Sequence, residues 1–313
     1  MRILVVGAGA TGGYFGARLA QAGRDVTFLL RGDRAADVRA GGLRLAGQGA
    51  EQVVSVSVVT AAEISGPYDL ILFAVRNSAL DTAADDIAGA VGPGTLIVPF
   101  LNGMSHMDRL NERFGENAVL GGVVLAAREL GEHGEIISVT PGARLTIGAQ
   151  PGAEPADLTE AAAALDVPGF DLVVSDHILA DMWSKWAFIA TLGALTCLMR
   201  GTVGDIASAP GGEVLAPAFL AETAAIAAAC GHPLPEGDIG SDTATFTQKD
   251  SKLTASLYRD VVAGRPTESS YILDDLARRA RERDVETPLL ELAALQLRIH
   301  NARTTRARTA PGV

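Results

Sequence analysis

Cysteine is nearly absent: 313 residues carry two, Cys197 and Cys230. Two thiols cannot build a disulfide-dense scaffold. Both lie in Ala- and Leu-rich stretches that read as helix interiors, so they are expected to be buried structural thiols. Positive charge is also short. Lys and Arg total 26 against 37 Asp and Glu, a net charge of −11. That balance excludes nucleic acid as a partner, because phosphate contacts need a basic surface, whereas a small anion needs only a local cation. No apolar run reaches the ~20 residues of a membrane span. The longest, Trp186 to Met199, is bounded by Lys185 and Arg200 and reads as a buried helix. The opening MRILVVGAGATGG is too short an apolar run for a secretory leader. The expected setting is therefore the cytoplasm, with no membrane partner.

What is present is an alternation. The length suits two domains. In the first half, β-branched runs at Arg2–Val6, Asp25–Leu30, Val53–Val59, Leu70–Val75, Thr95–Pro99 and Val119–Ala126 predict strands. Amphipathic runs at Thr11–Ala22, Arg34–Ala40, Ser78–Ala90 and Met104–Phe114 predict helices. Strands alternating with helices imply a parallel sheet covered on both faces, a Rossmann-type α/β domain. Glu135–Val139 and Arg144–Gly148 flank Pro141-Gly142 and read as a hairpin. From His177 onward the periodicity is helical, broken at Gly201, Pro210–Gly212, Gly231–Pro235 and Gly264–Pro266. This predicts a dinucleotide-binding domain over 1–172 and a mainly α-helical substrate and catalytic domain over 173–313. The closing Ala302–Val313 is basic, polar and proline-containing, so it is expected to fray.

Gly7-Ala8-Gly9-Ala10-Thr11-Gly12 follows the first strand and opens the first helix. In this G-x-G-x-x-G spacing Gly7 makes the turn, Gly9 lets backbone approach a pyrophosphate, and Gly12 permits close helix–strand packing. The helix start offers its free N–H groups to the phosphates. Cofactor choice is read at the end of the second strand. There an NAD-binding protein usually presents a carboxylate to the ribose, but this chain has Arg31. A guanidinium suits a 2′-phosphate, which favours NADP(H). Arg34 is a second candidate phosphate partner, and Asp33 reads as a helix N-cap.

Three further segments carry chemistry: Leu101-Asn102-Gly103-Met104 after the strand Thr95–Pro99, Asp181-Met182-Trp183-Ser184-Lys185 on the first long helix of the second half, and Ser256 with Asp260 followed by Gly264-Arg265-Pro266-Thr267-Glu268. With the early glycines, in order and spacing, they resemble the signature set of the ketopantoate reductase (2-dehydropantoate 2-reductase) family, over residues 1 to about 300. Reducing a 2-keto acid requires a hydride at the carbonyl carbon and a proton for the developing alkoxide, and Lys185 is the cation suited to that oxygen. The resemblance implies that Glu268 hydrogen-bonds the reacting hydroxyl across the site, that Ser256 contacts substrate, and that Asn102 holds substrate or coenzyme. It places Arg76 where the family often has a lysine near the cofactor. A keto acid is the implied small-molecule partner, and a second copy of the chain the one protein partner it suggests. Other roles remain open for the same residues: Asp181 pairing with Lys185 on one helix face, Glu268 as a helix-start carboxylate, Asn102-Gly103 as a turn.

The chain departs from the pattern where the family typically has asparagines four and eight residues after the lysine: here stand Ile189 and Gly193. Downstream, where the family commonly reads T-E-I-D-Y-I-N-G, the sequence is Thr267-Glu268-Ser269-Ser270-Tyr271-Ile272-Leu273-Asp274. Losing polar partners relaxes selection for a substrate hydroxyl. The expectation is ketopantoate first, and a bulkier or less polar 2-keto acid second. Tyr-x-x-x-Lys, which a short-chain dehydrogenase needs, is absent, and His106 is the nearest candidate for a histidine-based mechanism. A nonenzymatic NADP-binding regulator is the reading from another class, opposed by the presence of both Lys185 and Glu268.

Overall fold

The computed structural model describes residues 1–47 and 49–309. The chain divides into two compact units, Met1–Leu101 with His106–Leu179, and Asn102–Ser105 with the chain from Ala180 onward.

The first unit carries β1 (Arg2–Val6), α1 (Ala10–Gln21), β2 (Asp25–Leu29), α2 (Gly32–Gly41), β3 (Leu43–Ala46), β4 (Gln52–Val54), β5 (Ser57–Val59), β6 (Leu70–Phe73), α3 (Leu80–Asp86) and β7 (Leu96–Pro99). After these come α4 (Ser105–Phe114), β8 (Gly121–Leu125), β9 (Arg128–Leu130), β10 (Ile136–Ser138), β11 (Arg144–Gly148), α5 (Leu158–Leu165) and β12 (Asp171–Val174). The main sheet is wholly parallel, in the order β5-β2-β1-β6-β7. β1, β6 and β7 are buried on both faces except at Arg2, which is why they read as continuous apolar runs. Phe15 of α1 is fully buried and packs edge-on against Phe100 and Phe170. Burying such a ring stabilises the fold by about 2–3 kcal/mol.

Two strand expectations are corrected in this unit. Val53–Val59 is two strands, since β4 pairs antiparallel with β3 while β5 pairs parallel with β2 in another sheet. The hairpin around Pro141-Gly142 does not form: β10 joins β3 and β9, and β11 joins β8 and β12. Turn residues reverse the chain without choosing its pairing partner, and Ile136 is drawn under α1, where a Cβ on Gly13 would meet its Cδ1 at 2.5 Å. The position 172/173 falls inside β12, whereas the two units part after Leu179.

The second unit is helical: α6 (Ile178–Met199), α7 (Val203–Ser208), α8 (Leu215–Ala229), α9 (Glu236–Phe246), α10 (Ser256–Val262), a π-helical turn over Ser270–Asp274, α11 (Asp275–Glu282) and α12 (Pro288–Thr309). α6 is mostly apolar because it is a core helix. Its most apolar 18-residue window is 67% buried, although by length and composition it and Gly212–Ala229 could each span a membrane. Thr191 of α6 and Thr223 of α8 satisfy each other at 3.0 Å. The Glu222 carboxylate of α8 accepts the N–H groups of Leu289 and Leu290 at 3.0 and 2.8 Å. It thereby caps the positive start of α12. α12 continues through Thr309, so the fraying expected from Ala302 is not seen as far as that residue; the last four residues lie outside the described ones.

Candidate active site

In the first unit the glycine loop, Arg31 and Arg76 follow the carboxyl ends of β1, β2 and β6, three adjacent strands. Gly7 has φ +95°, and a Cβ there would sit 2.8 Å from the Ala74 carbonyl oxygen. Gly12 lies against Gly7 and Ala74, at 2.5 Å from the Gly7 oxygen. Both glycines are therefore demanded by the protein's own packing. Gly9 is different: a Cβ there would meet nothing within 4 Å, so the fold itself does not require glycine. A ligand backing onto the loop would. α1 has no acidic residue in its first turn and no side-chain cap at Gly9, which leaves Ala10, Thr11 and Gly12 at a positive helix start suited to a pyrophosphate. The loop thus fits a dinucleotide.

Arg31 caps α2 and is ion-paired with Asp86 at the end of α3, Nε donating to Oδ2 at 2.6 Å. Its side chain remains half exposed. Asp86 was invisible in the sequence because nothing in its local pattern links it to position 31. Asp33 stands in the first turn of α2 and is not the cap. Arg34 donates through one nitrogen to the carbonyls of Ala8 and Gly134, both at 3.1 Å, and so braces the glycine loop. Arg76 is exposed and begins the short 3-10 turn after β6.

The remaining candidates fall in the second unit. Lys185 on α6 is partly buried, and no carboxylate among the described residues forms an ion pair with it. Removal of its ammonium from water lowers its pKa from the usual 10.5 to about 8. The alternative in which Asp181 simply pairs with Lys185 is therefore not realised. Next to Lys185, Trp186 is fully buried, and its indole Nε1 donates to the Ile272 carbonyl at 2.9 Å. Ile272 lies in the π-helical turn just beyond Glu268. Trp183, also buried, stacks on His232. Gly103, next to Asn102, has φ +81°, and a Cβ there would overlap the Tyr271 carbonyl oxygen and lie 3.9 Å from Trp186 Nε1. The segments bearing Asn102, Lys185 and Glu268 thus converge on one contact among Gly103, Trp186 and the Tyr271–Ile272 backbone.

Ser256 is exposed at the first turn of α10, and its neighbour Leu257 is buried against α6. The Leu257 methyl lies 2.9 Å from where a Cβ on Gly193 would stand. Leu257 therefore fills the space beside Gly193, while Ile189 stays partly exposed on the Lys185 face of the helix. Asp260 is ion-paired to Arg265 at 2.8 Å. Burial of Cys197, and secondarily the Asp260 charge, push its thiol up to about 12, so Cys197 is an inert buried thiol. His106 is completely buried in the first unit. Sequence reasoning missed Asn301, whose amide brackets Glu268 from α12.

A family model described as ketopantoate reductase PanE/ApbA matches residues 3–152, and its C-terminal counterpart matches residues 177–300. The crystal structure of 2-dehydropantoate 2-reductase from Methylococcus capsulatus superposes with a TM-score of 0.85 at 29% identity, over 97% of this chain and 98% of that one. D-mandelate dehydrogenase in a ternary structure with NADH and anilino(oxo)acetate gives 0.87 at 20% identity, over 97% and 100% of the two chains. A dimeric ketopantoate reductase from Staphylococcus aureus gives 0.78 at 21% identity, over 97% and 100%. The latter two likenesses concern the fold.

Proposed function

This chain belongs to the ketopantoate reductase family of oxidoreductases, and on that premise we propose that it uses NADPH to reduce a 2-keto acid to the 2-hydroxy acid. Ketopantoate is the first substrate proposed, which would place the chain in pantothenate biosynthesis. The observation that carries the reading is Lys185, a partly buried ammonium with no ion-pair partner among the described residues, on the helix whose Trp186 holds the turn beyond Glu268.

The bound coenzyme supplies the hydride. Gly7–Gly12 would hold its pyrophosphate, Arg31 its 2′-phosphate, and Arg76 adds a cation at the end of the neighbouring strand. Lys185 would sit at the substrate's carbonyl oxygen, stabilise negative charge as it develops and deliver the proton. A lysine with a pKa near 8 gives up that proton more readily near neutral pH than one at 10.5. Glu268 would accept a hydrogen bond from the new hydroxyl, and Asn102 and Ser256 would fix the keto acid. The cytoplasm is the proposed setting, in keeping with two free cysteines, and a homodimer the proposed assembly.

Ile189 favours a second substrate reading, a branched or aromatic 2-keto acid packed against its side chain. Coenzyme oxidation measured with ketopantoate and a panel of such acids tests both. The expected result is turnover with the branched acids within about tenfold of ketopantoate, a difference of ~1.4 kcal/mol in transition-state binding. Ile189→Asn should then move preference toward ketopantoate. Absence of turnover with every 2-keto acid would overturn the enzymatic reading, and a thousandfold preference for ketopantoate in the parent protein would overturn the second one.

A further inference from the structure

We propose that Asn301 is a positioning residue for Glu268, fixing the backbone on both sides of that carboxylate from the far helix α12. The inference rests on the reading of Glu268 as a residue that meets the substrate.

The geometry is specific to an amide. Asn301 Oδ1 accepts the Thr267 N–H at 2.8 Å and the Thr267 hydroxyl at 3.1 Å. Its Nδ2 donates to the Thr267 carbonyl at 3.2 Å and to Ser269 Oγ at 3.3 Å. A backbone N–H only donates and a backbone carbonyl only accepts, so the amide has one permitted orientation, and both lone-pair sites and both protons are used. Thr267 and Ser269 are buried, and Glu268 between them is half-buried. One residue earlier on the same helix, His300 Nε2 lies 2.9 Å from the Arg265 carbonyl. The stretch from Arg265 to Ser269 is therefore laid along one turn of α12. It passes directly into the π-helical turn held by Trp186, so Glu268 is fixed from both ends.

Hydrogen bonds to the chain on either side of a carboxylate constrain where it points without touching the substrate. Displacement of a reacting group by an ångström costs about a hundredfold in rate. No aliphatic residue reproduces both bond directions. Aspartate keeps the two accepting contacts but turns an oxygen toward the Thr267 carbonyl.

The test compares Asn301→Ala, Ser269→Ala and Glu268→Gln with the parent protein. Turnover is normalised to coenzyme-binding sites counted by NADPH fluorescence titration, and kcat and KM are recorded for each. For Asn301→Ala we expect kcat per site to fall between about ten- and a hundredfold, with NADPH affinity within twofold of the parent and the loss carried by kcat rather than KM. Ser269→Ala removes one of the four contacts and should show a two- to threefold loss in kcat with KM unchanged, which keeps the test decisive if Asn301→Ala does not fold. If Glu268→Gln retains parental turnover, the role assigned to Glu268 fails. If Glu268→Gln is inactive while Asn301→Ala, or Ser269→Ala in its place, keeps the parental kcat per site, Asn301 only holds the fold together and the positioning role is overturned.

Discussion

Lys185 carries opposite consequences for activity and stability. Its pKa in the folded protein is about 8 against an ordinary 10.5, and burial is the cause. The folded state therefore disfavours the ammonium. That cost is fully present below pH 8 and is relieved as pH rises from 8 to 10.5, where the unfolded chain still binds a proton that the folded chain has released. Lys185→Met should remove the cost and raise stability at pH 7 by on the order of 2–3 kcal/mol, measured by urea denaturation, while turnover falls by a factor of about 10² or more. In the parent, keto-acid reduction should decline as pH passes through about 8, because the proposed donor loses its proton. A methionine variant less stable than the parent would show that the ammonium is well solvated where it stands. The lysine was legible because a tryptophan-spaced lysine, a glycine loop and a G-R-P-T-E run recur together. Asn301 was not, because a lone asparagine before a polar tail carries no local pattern, and its meaning depends on a chain segment 34 residues away.

At the scale of elements, the sequence is clearest where a strand is buried on both faces. β1, β6 and β7 announce themselves as apolar runs, while β3, β9 and β12 are short and partly exposed and leave too weak a period to read. The π-helical turn over Ser270–Asp274 also has no sequence mark. Such turns loosen the regular ladder and tend to occur at functional sites. Here one frees the Tyr271 carbonyl to face Gly103 and the Ile272 carbonyl to accept from Trp186. This makes a comparison possible between two adjacent buried tryptophans of similar size. Trp183→Phe and Trp186→Phe lose comparable apolar area, but only the second is known to strand a buried carbonyl. Trp186→Phe should be the more destabilising by about 1–2 kcal/mol, read from denaturant midpoints with unchanged slopes. Equal losses would mean that the Ile272 carbonyl finds another partner and that the turn does not depend on the indole.

For the molecule as a whole, coenzyme choice is a question of linkage, since a ligand that binds only the folded chain stabilises it in proportion to its affinity. NADPH and NADH differ by one phosphate, and the residue proposed to receive it, Arg31, is already engaged with Asp86. A half-exposed ion pair of this kind is worth at most about 1 kcal/mol, so a dianionic phosphate can compete for the guanidinium, though at a discount. Asp86 also repels that phosphate. Neutralising it should therefore strengthen NADPH binding by up to about fivefold, ~1 kcal/mol, and leave NADH nearly unaffected, because NADH presents a hydroxyl to the same position. In thermal melts at equal coenzyme concentration, NADPH should raise the midpoint more than NADH in the parent. Asp86→Asn should widen the gap, and Arg31→Ala should close it. Equal midpoint shifts for the two coenzymes in the parent, left unchanged by either substitution, would remove Arg31 from coenzyme recognition. The ion pair with Asp86 would then be an ordinary surface contact between α2 and α3.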